Sequence, residues 1–147
     1  MSDTTYLVIH GSADNSTDAI RLCGDALVKA GVAGPSFAEG CITREKDYPT
    51  GMPTDIPVAI PHCKDASIQK NAICVLFLDH PVEFRRMDDD QETVETSIIF
   101  NLAVKKPDEH IDVLQRLMAF LGDSETLEKC TKMNDEDLIA LLESSLG

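Results

Sequence analysis

Seven consecutive apolar residues, Ala72-Ile73-Cys74-Val75-Leu76-Phe77-Leu78, constrain this chain more than any other feature. The run is far short of the ~20 residues that a membrane-crossing helix needs. It lacks the polar face that a surface helix or a half-exposed strand keeps for water. It therefore reads as a strand covered on both faces, and the chain must supply apolar layers above and below it. Tyr6-Leu7-Val8-Ile9, ending at His10-Gly11, is a second short strand, and Val94 to Val104 is a long third one rich in β-branched residues. Ala19, Ile20, Cys23, Ala26, Leu27 and Ala30 recur at helical spacing, with Gly31 as the stop. Ser36-x-x-Glu39 has the spacing of a capping box and opens a second helix. That helix must end before Pro49, because the residue preceding a proline avoids helical geometry. Pro107 suits the first turn of a third helix with the stripe Ile111, Leu114, Leu117, Met118 and Leu121, stopped by Gly122. A short helix runs from Ser124 to about Thr131, and Asn134 caps a last one with Leu138, Leu141 and Leu142 inward. Asp79-His80-Pro81 and Asp88-Asp89-Asp90 read as turns. This interleaving predicts an α/β fold, a central mixed β-sheet flanked by helices on both faces, in one domain spanning residues 1–147.

Charge narrows the function. Thirteen Lys and Arg against 26 Asp and Glu leave a formal net charge of −13, which repels phosphate backbones and anionic lipid and suits a basic partner. Aromatic residues are only 5% and Trp is absent, which disfavours a stacking platform for bases or sugars. The start, Met1-Ser2-Asp3-Thr4, lacks the charged and apolar stretches of a secretory signal, and a cytoplasmic location is expected. Cys23, Cys41, Cys63, Cys74 and Cys130 include no C-x-x-C pair, so they suggest reduced thiols rather than a zinc or dithiol site. Cys23 and Cys74 fall inside apolar patterns and read as core residues.

Residues 49–61 hold four prolines and one glycine in thirteen positions, too many breakers for a helix and too apolar for a disordered linker. A structured loop leading into a short strand, Val58 to Ile60, fits, and His62 follows directly after Pro61. Rigid presentation at a strand end suits an imidazole that must meet a partner's reactive atom. His110 falls in the first turn of its helix, where the dipole favours a neutral ring and free amides attract anions, although a surface histidine would sit there equally well. Arg44 lies at the end of the second helix, the ordinary place for a basic residue. His10 and His80 attract no role. Taken by themselves, these residues support a histidine site in an acidic α/β protein and nothing narrower. A metal site on His62 and Cys63 fails because two adjacent residues cannot readily build a tetrahedral ligand set.

Arg44-Glu45, Pro49-Thr50-Gly51 and Val58-Ala59-Ile60-Pro61-His62 together resemble the enzyme IIA signature of the bacterial phosphoenolpyruvate-dependent sugar phosphotransferase system, in its fructose, mannitol and galactitol branch. Asn101-Leu102-Ala103 followed by Glu109-His110-Ile111 is similar to a second part of that signature. The loop Tyr48-Pro49-Thr50-Gly51-Met52-Pro53-Thr54 looks most like galactitol-type members. The resemblance implies a phosphocarrier with His62 as phosphoacceptor, His110 as auxiliary histidine and Arg44 as the residue that stabilises the phosphate. Phosphate would come from the phosphohistidine of HPr, pass to a cysteine of a IIB component, and reach the sugar through IIC in the membrane, with no cofactor or metal. The alternative is a IIA-like regulator whose phosphorylation state controls its grip on a protein partner. Cys63 stands where glycine or alanine is common in the family, and reads as a tolerated neighbour of His62.

Overall fold

The computed structural model describes residues 4–146. A five-stranded sheet has the order β1-β4-β5-β3-β2, with β1 at Thr5–Gly11, β2 at Gly51–Met52, β3 at Val58–Ala59, β4 at Ala72–Arg85 and β5 at Thr93–Ala103. β1 runs parallel to β4 and β3 parallel to β5, while the β4–β5 and β2–β3 pairs are antiparallel, so the sheet is mixed as expected. Helices α1 (Ser16–Lys29) and α2 (Ser36–Asp47) cover one face, and α3 (His110–Leu121), α4 (Ser124–Cys130) and α5 (Asp135–Leu146) cover the other. No helix among the described residues is long and apolar enough to cross a membrane.

The apolar run of β4 serves both layers through the period-two alternation of a strand. Cys74, Leu76 and Leu78 join Ile20, Cys23, Leu27 and Phe37 under α1 and α2. Ile73 and Val75 join Leu117, Leu121, Leu127 and Leu142 under the opposite helices. Gly31 ends the first helix with φ +75°, a conformation that glycine adopts without the cost of a Cβ. Asn134 caps α5 by accepting a 2.8 Å hydrogen bond from the Asp137 amide.

Four local expectations are corrected. Ser36 and Glu39 form no capping box, because Pro35 occupies the N-cap position. Ser36 Oγ instead donates to Asp65 Oδ1 at 3.1 Å, and Glu39 pairs with Arg21. Asp79-His80-Pro81 is not a turn, since β4 continues through it to Arg85 with a register break between Phe77 and Val82. A bulge there leaves the proline, which has no N–H to donate, outside the regular ladder. The stripe of α3 is rotated from its expected phase. Val113, Leu117, Phe120 and Leu121 are buried, whereas Ile111 is 67% exposed and Met118 is also at the surface. Finally, the proline-rich loop contains a strand that its composition hides. β2 needs glycine because a Cβ at Gly51 would lie 2.6 Å from the Arg85 carbonyl oxygen.

These pairings position the site. β3 and β5 are parallel, so their carboxyl ends lie at the same end of the sheet. His62 follows one and His110 follows the other.

Candidate functional site

The His62 backbone is fastened from two sides. The Leu102 amide donates to the Pro61 carbonyl at 3.0 Å, pairing His62 with β5, and the buried Asn101 amide group donates to the same oxygen at 3.0 Å. The imidazole is only 5% exposed, and its Nδ1 donates to the Ile60 carbonyl at 2.7 Å. A carbonyl can only accept, so Nδ1 carries the proton. Burial pushes the pKa of this ring down to about 4, despite the Ile60 carbonyl, and the charge of Arg44 adds to the depression. Near neutral pH the ring is therefore neutral, and Nε2 holds a free lone pair.

The His110 ring lies against it, with centroids 4.9 Å apart and planes tilted by 50°. Burial lowers the His110 pKa too, assisted by Arg44 and Lys64. His110 Nε2 is buried without a hydrogen-bond partner in the structure. Such an atom costs free energy unless something fills its hydrogen-bonding capacity, and a visiting anion would do so. His110 does open α3, after a short turn of 3₁₀ helix at Pro107–Glu109, close to where the sequence puts it.

Arg44 arrives from the last turn of α2. Its guanidinium stands 5.0 Å from the centre of the exposed Tyr48 ring, a cation–π contact that steadies it while leaving its N–H groups open. The neighbouring Glu45 turns the other way and is buried. It accepts from the Thr50 amide and from Thr50 Oγ1, both at 2.8 Å, and so ties down the start of the proline loop. The Arg85 side chain bonds the carbonyls of Glu45 and Lys46, anchoring the end of α2 to β4. The adjacent Arg-Glu pair thus divides into a residue facing the cleft and a residue holding the wall.

Arg44, Tyr48, Thr50 and His62 line a cleft of about 550 Å³ with Leu114. The acidic hairpin tip, Asp88 to Asp90, forms its far rim, brought there by the Met87 amide bonding to the Gly51 carbonyl at 2.9 Å. Asp88 is bound by Arg86 at 2.5 and 2.9 Å, so one acidic charge of the rim is balanced locally. No cluster of three or more His, Cys, Asp or Glu suited to a metal occurs among the described residues.

His62, His110 and Arg44 are all brought to one place, His62 and Arg44 on the cleft wall and His110 against the His62 ring. Sequence reasoning missed the Ile60 carbonyl, since a backbone partner leaves no residue-type signal. It named Asn101 only as part of a motif and gave its side chain no role, although a polar residue within the apolar end of β5 was a usable clue.

Two neutral imidazoles beside a guanidinium, at the shared carboxyl end of two parallel strands, define a histidine site suited to receiving an anion. The chain belongs to the EIIA 2 family of the phosphoenolpyruvate-dependent sugar phosphotransferase system, which it matches over residues 3–145. It is 28% identical over 123 residues to the galactitol-specific EIIA component of Escherichia coli K12, covering 83% of this chain and 81% of that one. It is 30% identical over 113 residues to the mannitol-specific enzyme IIA component of Enterococcus faecalis, covering 75% and 74%. Its fold superposes with a TM-score of 0.75 on the Escherichia coli mannitol IIA solved in complex with phosphorylated IIB, at 24% identity and 93% coverage of each chain. The nitrogen regulatory protein IIA-Ntr of Neisseria meningitidis has the same fold, with a TM-score of 0.73 and 21% identity over 99% of this chain and 94% of that one.

Proposed function

We propose that this chain is a phosphoryl carrier in which His62 Nε2 receives a phosphoryl group from the phosphohistidine of HPr and passes it to a cysteine of a IIB component. The observation that carries this reading is the 2.7 Å bond from His62 Nδ1 to the Ile60 carbonyl, which leaves Nε2 as the nucleophile. The Nε2 lone pair attacks phosphorus, the P–N bond of the donor breaks, and the donor imidazole keeps the released electron pair. As the P–N bond forms, positive charge grows on the His62 ring, and the Ile60 carbonyl stabilises it through the Nδ1 proton. Arg44 offers two parallel donors to the equatorial oxygens, and His110 offers Nε2 when that atom carries its proton. Discharge runs in reverse: a thiolate attacks phosphorus and His62 leaves as a neutral ring.

The galactitol-specific relatives support a polyol such as galactitol as the transported substrate, with IIC as the membrane component that meets it. The acidic rim suits a basic surface around the donor's histidine, acting through association rate. The chain would do this as a single IIA-type domain in the cytoplasm.

The test is incubation with phosphoenolpyruvate, enzyme I and HPr, followed by intact mass. One acid-labile phosphoryl group is expected on the parent and none on a folded His62→Gln variant. Equal labelling of both would remove His62 from the role. Transfer from labelled protein to a panel of IIB domains then separates carrier from regulator. Fast loss to a galactitol-type or related polyol IIB, abolished in its cysteine-to-serine form, supports transport. No discharge, with a partner bound in one phosphorylation state only, replaces transport with regulation.

A further inference from the structure

A thiol pair lies beside the histidine site with no part in phosphoryl transfer. Cys41 sits on α2, nearly one turn before Arg44, and Cys63 directly follows His62. Their sulfurs are 3.7 Å apart. The two thiols are unequal. Cys41 is 1% exposed, lies 3.7 Å from the Asn101 amide nitrogen, and directs its S–H at Cys63. The Cys63 neighbour and burial push the Cys41 pKa up. The hydrogen bond from Cys41 and the charge of Arg44 pull Cys63 the other way, against burial and Asp65. Cys63 is 6% exposed, and its Sγ lies 3.5 Å from the Phe37 carbonyl and packs directly against Gly40, where a Cβ would come within 2.7 Å of it. Cys23 and Cys74 also interact with each other, but both are wholly inside the core.

We propose that Cys41 and Cys63 are a peroxide-reactive pair that closes into an intramolecular disulfide next to His62. The Cys63 thiolate attacks one oxygen of hydrogen peroxide, the O–O bond breaks, and hydroxide leaves and is protonated to water. Cys63 is then a sulfenic acid. The Cys41 sulfur attacks the Cys63 sulfur, the S–O bond breaks, and a second water departs with the Cys41 proton. Two thiols lose two electrons and one peroxide gains them.

Bond formation draws the sulfurs from contact to ~2 Å, through side-chain rotation and a small shift of α2. Both ends of that movement bear on the site, because Cys63 is bonded to His62 and Cys41 shares a helix with Arg44. A misplacement of ~1 Å between reacting groups can cost ~10²-fold in rate. The slowing rests on the phosphoacceptor role proposed for His62, whereas the disulfide does not.

The experiment treats the folded chain with hydrogen peroxide, blocks free thiols by alkylation, and reads intact mass and a tryptic map. The expected product has lost two hydrogen atoms, with peptides 30–44 and 47–64 joined and the other three cysteines outside any disulfide. Cys41→Ser should stop at a sulfenic acid on Cys63 that dimedone traps, and Cys63→Ser should stay unoxidised at Cys41. Phosphoryl acceptance from phospho-HPr, measured on the same samples, should fall at least ~10-fold on oxidation and return with dithiothreitol, while Cys63→Ser ignores peroxide. A pair that stays reduced, or a disulfide joining other cysteines, overturns the proposal. Disulfide formation with no acceptance by the reduced protein would instead overturn the phosphocarrier reading and leave the thiol pair standing. Unchanged acceptance after complete closure would refute its coupling to His62.

Discussion

Acidification should cost this protein stability through His62, and the size of the loss follows from the ring's surroundings. The imidazole is 5% exposed, with a pKa of about 4. In the unfolded chain the same ring would titrate near its ordinary value, ~6.5. Between these values the unfolded chain binds a proton that the native ring refuses, so stability falls as pH falls. The contribution is intact above ~6.5, erodes through the window between the two pKa values, and is fully lost below the native one. At ~1.4 kcal/mol per unit, a gap of roughly 2.5 units amounts to about 3 kcal/mol. About 2 kcal/mol of it should be gone by about pH 5, before the native ring begins to protonate appreciably. The assay is urea unfolding of the parent and of His62→Gln at about pH 7.5 and about pH 5. Carboxylates are common to both proteins, and placing both in a His110→Ala background removes the neighbouring ring, so the parent should lose about 2 kcal/mol more than the variant over that interval. Ring NMR gives a direct check, with His62 in its Nδ1–H neutral form at about pH 5.5, where a free imidazole is mostly protonated. Equal losses in the two proteins, or a His62 midpoint near that of free histidine, would refute the buried neutral ring and the free Nε2 lone pair with it.

His110→Ala should still accept phosphate on His62 but transfer it ~10²–10³-fold more slowly, as measured by quench-flow, because one preorganised donor is lost and the nucleophile is kept. Unchanged rates would make His110 a packing residue. Arg44→Lys should slow transfer although its charge is retained, since an ammonium cannot present two parallel donors to phosphate; a variant as fast as the parent would mean that a point charge suffices there. Glu45→Ala should cost ~1–3 kcal/mol in urea unfolding, because it strands the buried Thr50 amide, and Glu45→Gln should recover most of that by accepting from the same N–H. Equal stability of Glu45→Ala and the parent would show that the loop is held elsewhere.

The parts of this protein legible in its sequence are those governed by local chemistry. A seven-residue apolar run has one stable solution, a strand covered twice, and with the helical stripes around it this was enough for the layered α/β fold. His62, Arg44 and His110 could be picked out as candidates because the family signature that they resemble is carried in the chain itself. Helix ends set by Gly31, Pro49 and Asn134 also followed, since each acts through its own backbone geometry or a partner within a few residues.

What remained hidden depends on groups distant in sequence. Ser36 and Glu39 have capping spacing, yet Asp65 and Arg21 bind them instead. The phase of α3 was misread because both Ile111 and Val113 are apolar, and only the position of the sheet decides which of them is covered. The short strand at Gly51 forms by pairing with β3, and its glycine is required because Arg85 comes close to it from β4, an approach that no local propensity encodes. The chemistry of the site has the same origin. A histidine's sequence context does not say which nitrogen holds the proton, and the Ile60 carbonyl and the burial of the ring decide it. Residue type and short-range spacing thus determined the layers, and the resemblance to a family signature named the candidate site residues. Tertiary packing alone set their protonation, their partners and the contact between Cys41 and Cys63, because burial and long-range hydrogen bonds belong to the assembled structure and not to any segment of the chain.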